Sequence, residues 1–165
     1  MLWLTLLLVL LWTPSALSGV VSTTVPIIPA GSSVATINAA IVAASTASDP
    51  YYRTVRLAAG TYTITTPIVM KANVTLQGDG EGRTVLLLGD AANVTVIQNV
   101  AADAPADIVV SNLTIDGNGT NQTSTVDGIS FSSAVRPVAR NVTFQNISRR
   151  GVFVEKSDYA RVTGN

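Results

Sequence analysis

Cysteine and histidine are both absent from this chain of 165 residues. Without cysteine no disulfide can form, so the stability of the fold has to come from packing and backbone hydrogen bonds. Without histidine the chain cannot carry a Ser-His-Asp triad, a histidine-ligated zinc ion or a histidine general base. Basic and acidic residues number ten each, and no basic stretch alternates with aromatic residues. This composition argues against nucleic acid as a partner.

The balanced charge is unevenly distributed along the chain. Residues 1–135 carry four basic and eight acidic side chains, whereas residues 136–165 carry six basic and two acidic ones. A basic C-terminal part can attract an anionic polymer such as a uronate polysaccharide. The alternative is a solvated surface that binds no charged ligand.

The N-terminus predicts a secretory signal peptide over residues 1–18. Residues 2–12 are almost wholly apolar, and Ala16 and Ser18 place small side chains at the −3 and −1 positions of a cleavage site. The apolar stretch is shorter than the roughly 20 residues of a membrane span. We therefore expect a secreted, extracellular protein without membrane association after cleavage. An uncleaved N-terminal anchor is the alternative, because no Lys or Arg precedes the apolar stretch.

A short β-branched phrase recurs along the chain, and its copies begin at positions 73, 93, 112, 141 and 161. They read Asn73-Val74-Thr75-Leu76, Asn93-Val94-Thr95-Val96, Asn112-Leu113-Thr114-Ile115, Asn141-Val142-Thr143-Phe144 and Arg161-Val162-Thr163. Short strands repeated about every 20–30 residues are typical of a solenoid, in which each coil buries its apolar face against the next. The pattern predicts an all-β fold of parallel coils. A sandwich of antiparallel hairpins is the alternative, but it does not explain the recurrent phrase.

One helix is predicted before the strands. Ser32 or Ser33 fits its N-cap, and Asp49-Pro50 is expected to end it. Its apolar stripe consists of Val34, Ile37, Ile41 and Ala44. Such a helix suits a cap over the first coil, because terminal coils need cover for their apolar core.

The expected organisation is a signal peptide at residues 1–18, an extended segment with the capping helix at 19–53, and β-helix coils at 54–165. The last residues, 161–165, read as the middle of a further coil. We therefore expect the β-helix to be incomplete at its C-terminus, as a fragment, a truncated product or one half of a homo-oligomer formed through the open end.

Two stretches resemble a known superfamily. Residues 57–62 (LAAGTY) and 68–80 (IVMKANVTLQGDG) look like the opening coils of pectate-lyase-like proteins. The resemblance implies a right-handed, single-stranded parallel β-helix with a short N-terminal capping helix. The superfamily holds lyases, hydrolases, epimerases and non-catalytic modules, so the resemblance does not select one chemistry.

A second tract is similar to the mannuronan (alginate) epimerases of this superfamily. It runs from residues 114–118 (TIDGN) to residues 126–128 (VDG). Those enzymes carry a catalytic Gly-Phe-Asp-Pro-His-Glu segment one coil further on. The matching residues 151–156 read GVFVEK, with Phe153 and Glu155 in place of the Asp and the His. The epimerase residues therefore do not carry over to this chain.

Asp116 and Asp127 are the candidate catalytic residues. Each is followed by Gly, and the two lie close together in the sequence, so both can project onto one outer face of a coil. Paired carboxylates serve acid–base catalysis or hold Ca²⁺ against a uronate. We therefore predict these two residues as a catalytic pair or as ligands of Ca²⁺, the one cofactor considered. The alternative is that each Asp-Gly is a turn dipeptide.

Further residues are candidates for sugar binding and for glycosylation. Arg149, Arg150, Glu155 and Lys156 are predicted as a subsite for an acidic sugar, and Tyr51, Tyr52 and Tyr62 as platforms for sugar rings. Seven Asn-x-Ser/Thr sequons occur. Asn118 and Asn121 lie in a polar stretch and are predicted to carry N-glycans. The Asn residues of the recurrent phrase are predicted to be structural, in turns or in ladders between coils.

The sequence thus predicts a secreted, carbohydrate-active β-helix protein that acts on or binds acidic polysaccharide. If it is an enzyme, it is a polysaccharide lyase, an epimerase or a glycoside hydrolase. The alternative is a non-catalytic surface, adhesion or structural module built on the same coils.

Overall fold

A computed structural model describes Val25 and residues 27–165, and the predicted signal peptide lies outside these residues. The strands are β1 (Ile27–Ile28), β2 (Thr54–Leu57), β3 (Gly60–Ile64), β4 (Ile68–Met70), β5 (Thr75–Gly78), β6 (Thr84–Leu88), β7 (Ile97–Asn99), β8 (Val109–Asp116), β9 (Asp127–Ser132), β10 (Val138–Gln145), β11 (Arg150–Glu155) and β12 (Arg161–Thr163). The helix α1 spans Val34–Ser45, and one-turn 3₁₀ helices cover Pro50–Arg53, Ala101–Asp103 and Gly119–Asn121. In this part of the chain no helix is long and apolar enough to cross a membrane.

All strand pairs are parallel, and they form three ribbons that run along the molecule. The first ribbon contains β1, β2, β5, the N-terminal half of β8, the N-terminal half of β10, and β12. The second contains β3, β6 and the C-terminal halves of β8 and β10. The third contains β4, β7, β9 and β11. Each turn of the chain visits the three ribbons in order, which is the architecture of a parallel β-helix.

The length of a coil is not the spacing of the recurrent phrase. In the first ribbon, Thr54 pairs with Thr75, Thr75 with Val109, Val109 with Val138 and Val138 with Arg161. The coils therefore differ in length, and the one from Thr75 to Val109 is the longest of the four. The copies of the phrase therefore do not mark one coil each, because loops of different lengths separate the strands.

The phrase marks left-handed bends instead. Its four Asn residues, at positions 73, 93, 112 and 141, have φ angles of 61°, 54°, 56° and 51°. Asn tolerates the left-handed region of φ and ψ better than most residues, because its short polar side chain forms hydrogen bonds with the nearby backbone. Asn112 and Asn141 lie one above the other, and the Nδ2 of Asn141 donates to the Oδ1 of Asn112 at 3.1 Å. The predicted structural role and the ladder are confirmed for this pair.

The core runs between the three ribbons. Val55, Leu76, Val110 and Ala139 occupy the same inward position on successive coils of the first ribbon, and all four are fully buried. Neighbouring residues along each strand point outward, as the period of two requires. Each coil therefore removes the apolar face of the next from water, which is the main source of stability in such a fold.

Helix α1 closes the N-terminal end of this core. Ser33 is its N-cap, with the Oγ accepting from the backbone N–H of Thr36 at 3.2 Å. The buried residues of the helix are the four of the predicted stripe. The helix ends at Ser45, earlier than predicted, and the Oγ of Ser45 donates back to the carbonyl of Val42 at 2.8 Å. Asp49 caps the following 3₁₀ helix instead.

Asn38 on α1 takes the place of a neighbouring strand for the outer edge of β4. Its Nδ2 donates to the carbonyl of Pro67 at 3.1 Å, and its Oδ1 accepts from the N–H of Val69 at 2.9 Å. An open strand edge leaves such groups without partners and invites pairing with other chains. The helix therefore protects both the core and this edge of the third ribbon.

We expect Asn38→Ala to lower the free energy of unfolding by about 2 kcal/mol, because it leaves a half-buried N–H and a carbonyl without partners. Urea denaturation measures the effect. Val42→Ala is the control, since Val42 lies on the same helix and is 51% exposed, and it should change stability by less than about 0.5 kcal/mol. Equal stability of the two variants would show that Asn38 has no role at the edge of β4.

Candidate functional site

The outward face of the first ribbon is the candidate functional site. It presents two side chains from each successive coil, in two columns along the molecule. These outward positions hold Thr54 and Arg56 on β2, Thr75 and Gln77 on β5, Val109 and Ser111 on β8, Val138 and Arg140 on β10, and Arg161 and Thr163 on β12. Ser111 is the exception among them, because its side chain is fully buried and not accessible to a ligand.

A loop of residues 79–83 forms a wall along one side of this face. The N–H of Gly80 donates to the carbonyl of Asn112 at 3.0 Å, and the N–H of Gly82 donates to the Oγ1 of Thr114 at 2.8 Å. At the next coil the Oγ1 of Thr143 donates to Glu81 at 2.7 Å. The loop therefore lies over the boundary between the first and second ribbons, at one side of the outward face, and we call this face with the loop beside it the groove.

Two arginine side chains in this groove have no carboxylate partner among the described residues. Arg140 and Arg161, together with Val109, Val138 and Thr163, line a pocket of about 250 Å³. Among the described residues neither arginine forms an ion pair, whereas Arg56 at the other end of the face contacts Asp79 at 2.9 Å. The predicted subsite does not include this pair. In the sequence, the only sign of a binding role for Arg140 and Arg161 is that both occupy outward positions of strands.

Asp127 lies away from this groove, at the start of β9 in the third ribbon. It is held by two arginines, since the Nε and Nη2 of Arg150 donate to its two oxygens at 3.0 and 2.8 Å. Arg149 approaches the same carboxylate at 3.5 Å. The side chain of Asp127 is only 8% exposed, and its hydrogen bonds with Arg150 raise the pKa of that arginine. The Arg150 guanidinium also lies 3.4 Å above the Phe153 ring centroid.

This arrangement argues against two predictions. Asp127 is not a free catalytic carboxylate or Ca²⁺ ligand, because a bidentate guanidinium already occupies both of its oxygens. Arg150 is not a free cation for an acidic sugar for the same reason. The predicted catalytic residue and the predicted subsite arginine neutralise each other and join β9 to β11, where they are register partners.

Asp116 is also held by hydrogen bonds from neighbouring residues of the β-helix. It ends β8 on the second ribbon, where Gln145 is its partner on the next coil. One oxygen accepts from the N–H of Asn118 at 2.9 Å and from the Nδ2 of Asn146 at 3.0 Å, and the other accepts from Gln145 at 2.9 Å. Burial raises the pKa of Asp116, but these three hydrogen bonds together outweigh it and hold the pKa below its usual value. Within the described part of the chain, no residue donates to both Asp116 and Asp127, and the two carboxylates belong to different ribbons.

The number of available side-chain ligands also argues against the predicted Ca²⁺ site. Ca²⁺ takes six to eight oxygen ligands, with several from carboxylates. Within residues 27–165 no group of three or more Asp, Glu, His or Cys side chains is placed to hold a metal ion. The residues present do not fit a Ca²⁺ site at Asp116 and Asp127.

The Asp-Gly dipeptide at residue 127 is not a turn. Gly128 lies inside β9, and a Cβ on it would come within 2.8 Å of the Phe144 ring and 2.7 Å of the carbonyl of Gly151. A Cβ on Gly151 would be 3.0 Å from the same ring. Glycine is needed here because Phe144 of the second ribbon packs directly against the backbone of the third.

The remaining residues predicted for sugar binding are scattered. Glu155 and Lys156 lie at the end of β11, exposed, with their charged atoms 4.0 Å apart. Tyr62 is fully buried and donates to the carbonyls of Ile28 and Ala58 at 2.7 and 3.1 Å, so it cannot stack on a sugar ring. Tyr51 is 60% exposed, so its ring remains accessible.

The comparisons with known proteins agree with this fold. A family described as rhamnogalacturonase A/epimerase, pectate lyase-like, matches residues 30–163. The chain belongs to this family. The match covers nearly all of the described residues, and it assigns the chain to the carbohydrate-active β-helix proteins. None of the curated proteins matches the chain.

Two solved structures from Azotobacter vinelandii share the fold of this chain. The A-module of mannuronan C-5 epimerase AlgE4 superposes with a TM-score of 0.70 at 24% identity, over 84% of this chain and 47% of that one. The A-module of AlgE6 gives a TM-score of 0.65 at 21% identity, over 81% and 47%. The chain thus spans about half the length of these modules. At this identity the likeness establishes the right-handed parallel β-helix and not the activity.

The predicted glycan acceptors differ in how their amides are used. The Nδ2 of Asn118 donates to the carbonyl of Leu88 at 3.0 Å and to Asp90 at 2.8 Å. An N-glycan replaces one of these two hydrogens, so the structure disfavours Asn118 as an acceptor. Asn121 is exposed and donates a single hydrogen bond from its side chain, to Asn118 at 2.9 Å. Glycosylation at Asn121 stays a prediction.

We expect Asp127→Asn to lower the free energy of unfolding by about 2 kcal/mol. Removing one partner of a fully buried pair costs roughly 3–5 kcal/mol, and the effect is smaller here because the Arg150 side chain is 31% exposed. Urea denaturation is the measurement. Asp103→Asn is the matched control, since it breaks the exposed Lys71–Asp103 pair and should cost less than about 1 kcal/mol. Unchanged stability of Asp127→Asn would contradict a structural role.

Proposed function

We propose that this β-helix protein is exported and binds an acidic polysaccharide in the groove on the first ribbon. The observation that carries the proposal is the position of Arg140 and Arg161, two outward arginines without acidic partners among the described residues. Unpaired guanidinium groups beside hydroxyl and apolar side chains suit a ligand that offers carboxylates on sugar rings.

The direction of the groove supports a polymer as the ligand. The coils of the first ribbon are stacked about 4.8 Å apart, so an extended chain laid along the groove contacts several coils in succession, with arginines on β2, β10 and β12. The neighbouring structures are epimerases of mannuronan, which is itself an acidic polysaccharide. This likeness makes polyuronates the first ligands to test.

Binding without catalysis is favoured over an enzymatic role of the predicted carboxylates. Asp127 is paired with Arg150, and Asp116 accepts three hydrogen bonds from its own scaffold. Both carboxylates lie outside the first ribbon, so the proposal gives neither of them a proton-transfer role in the groove. Incubation with pectate and alginate, with ultraviolet detection of unsaturated products, tests for lyase action, and product formation would overturn this preference.

The binding test uses Arg140→Gln/Arg161→Gln against the unmodified protein. We expect the double variant to bind polygalacturonate or alginate at least tenfold more weakly by titration calorimetry, because it loses two charge-assisted contacts worth about 1.5–3 kcal/mol each when well formed. Affinity of the unmodified protein should fall as salt is raised, because the contacts are exposed.

Arg149→Gln is the matched control for this experiment. Arg149 is 54% exposed and lies beside Asp127 on a different ribbon, so its loss should leave polyuronate affinity within about twofold. Weaker binding by Arg149→Gln with unchanged binding by the double variant would move the site to the surface around Asp127 on the third ribbon. No polyuronate binding by the unmodified protein would remove the proposal.

Export is tested separately, by expressing the full chain with its predicted signal peptide and sequencing the N-terminus of the protein in the medium. We expect the mature chain to begin at Gly19. Retention in the membrane fraction with an intact N-terminus would instead support an uncleaved anchor.

A further inference from the structure

The same groove has a second, larger cavity at its N-terminal end. It has a volume of about 520 Å³ and is lined by Val25, Ile27, Pro50, Tyr51, Thr54 and Arg56. Ligand pockets commonly have volumes of about 300–1,000 Å³. Thr54 and Arg56 are the outward residues of β2, so this cavity continues the face that carries Arg140 and Arg161.

The aromatic wall of this cavity is Tyr51, and local contacts support it. Tyr51 makes an edge-to-face contact with Tyr52, with ring centroids 5.4 Å apart and planes at 85°. Its backbone N–H donates to Asp49 at 2.9 Å, and Pro50 starts the 3₁₀ helix that carries it. Tyr51 nevertheless remains 60% exposed. A Tyr side chain has only two χ angles, so an exposed Tyr ring loses little conformational entropy when it contacts a ligand.

Arg56 supplies the charge beside this ring. One of its nitrogens contacts Asp79 at 2.9 Å, and its side chain is 43% exposed, which leaves other N–H donors of the planar guanidinium free to contact a ligand. Asp79 also accepts from the N–H of Ala59 at 3.3 Å, so the carboxylate is shared and holds Arg56 in position. An aromatic face next to a guanidinium suits the apolar face and the carboxylate of a uronate ring.

We propose that Tyr51 and Arg56 form a second subsite for the same polyuronate, and that the groove therefore selects long chains over short ones. The inference rests on the proposed function of the groove. From β2 to β10 is three coils and to β12 four, so the two cationic ends lie roughly 14–19 Å apart at about 4.8 Å per coil. Only an oligosaccharide of several rings reaches from one end to the other.

A ligand that occupies both ends gains affinity beyond either contact alone. Once one end is bound, the other is held at a high effective concentration, which strengthens binding without any new contact. A disaccharide occupies one end at a time and lacks this gain. Affinity should therefore rise steeply between a uronate disaccharide and a uronate octasaccharide.

The experiment titrates both oligosaccharides into the unmodified protein, Tyr51→Ala, Tyr51→Phe and Arg140→Gln/Arg161→Gln. We expect Tyr51→Ala to weaken octasaccharide binding at least tenfold and to reduce the ratio between octasaccharide and disaccharide affinities. Tyr51→Phe keeps the ring and should recover most of the affinity lost in the alanine variant. Val42→Ala, which removes exposed apolar surface from α1, is the control for unspecific effects, and equal urea midpoints exclude misfolding.

The outcomes separate this inference from the proposed function. If Tyr51→Ala binds the octasaccharide as the unmodified protein does, while Arg140→Gln/Arg161→Gln binds it weakly, the second subsite is wrong and the proposed function stands. If the unmodified protein binds neither oligosaccharide nor polymer, the proposed function itself is wrong. A loss of equal size for both oligosaccharides contradicts the spanning of the two subsites.

Discussion

The register between successive coils is the constraint on which the rest of this structure depends. Because Val55, Leu76, Val110 and Ala139 share one inward position, the residues beside them are forced outward on every coil. A slip of one residue would turn Arg140 into the core and Ala139 to the surface. The same parallel pairing that buries the apolar side chains therefore also builds the columns of the groove.

Register also decides which charges are free. Arg150 and Asp127 are partners on β11 and β9, so pairing of these strands brings the two charges together and removes both from ligand binding. A pair of this kind adds little net stability, since its desolvation offsets its attraction, but it penalises every alternative register that separates the charges. Arg140 has Ser111 as its partner and Arg161 has Val138, and neither neighbour can neutralise it.

The features that the sequence predicted are those fixed by local pattern. The stripe of α1 follows from helical period alone, and the β-branched strands with their Asn bends follow from period two and left-handed φ angles. The pairing of Asp127 with Arg150 did not follow, because it depends on coil lengths that vary with the loops and that no local pattern encodes. The exposure of Tyr51 and the burial of Tyr62 likewise depend on the neighbouring coil and not on the residues next to them in sequence.

The loops between strands of this β-helix can differ in length, because each loop leaves and rejoins the coils without altering the strands on either side. The loop at residues 79–83 uses Gly80 and Gly82, with φ angles of 136° and 71°, to fold back over the next coil, and it bonds there to Asn112, Thr114 and Thr143. Its ends remain in β5 and β6, whose pairing with β8 is continuous with the core. Changes in this loop can therefore reshape the wall of the groove while the register, and with it the spacing of the arginines, stays the same.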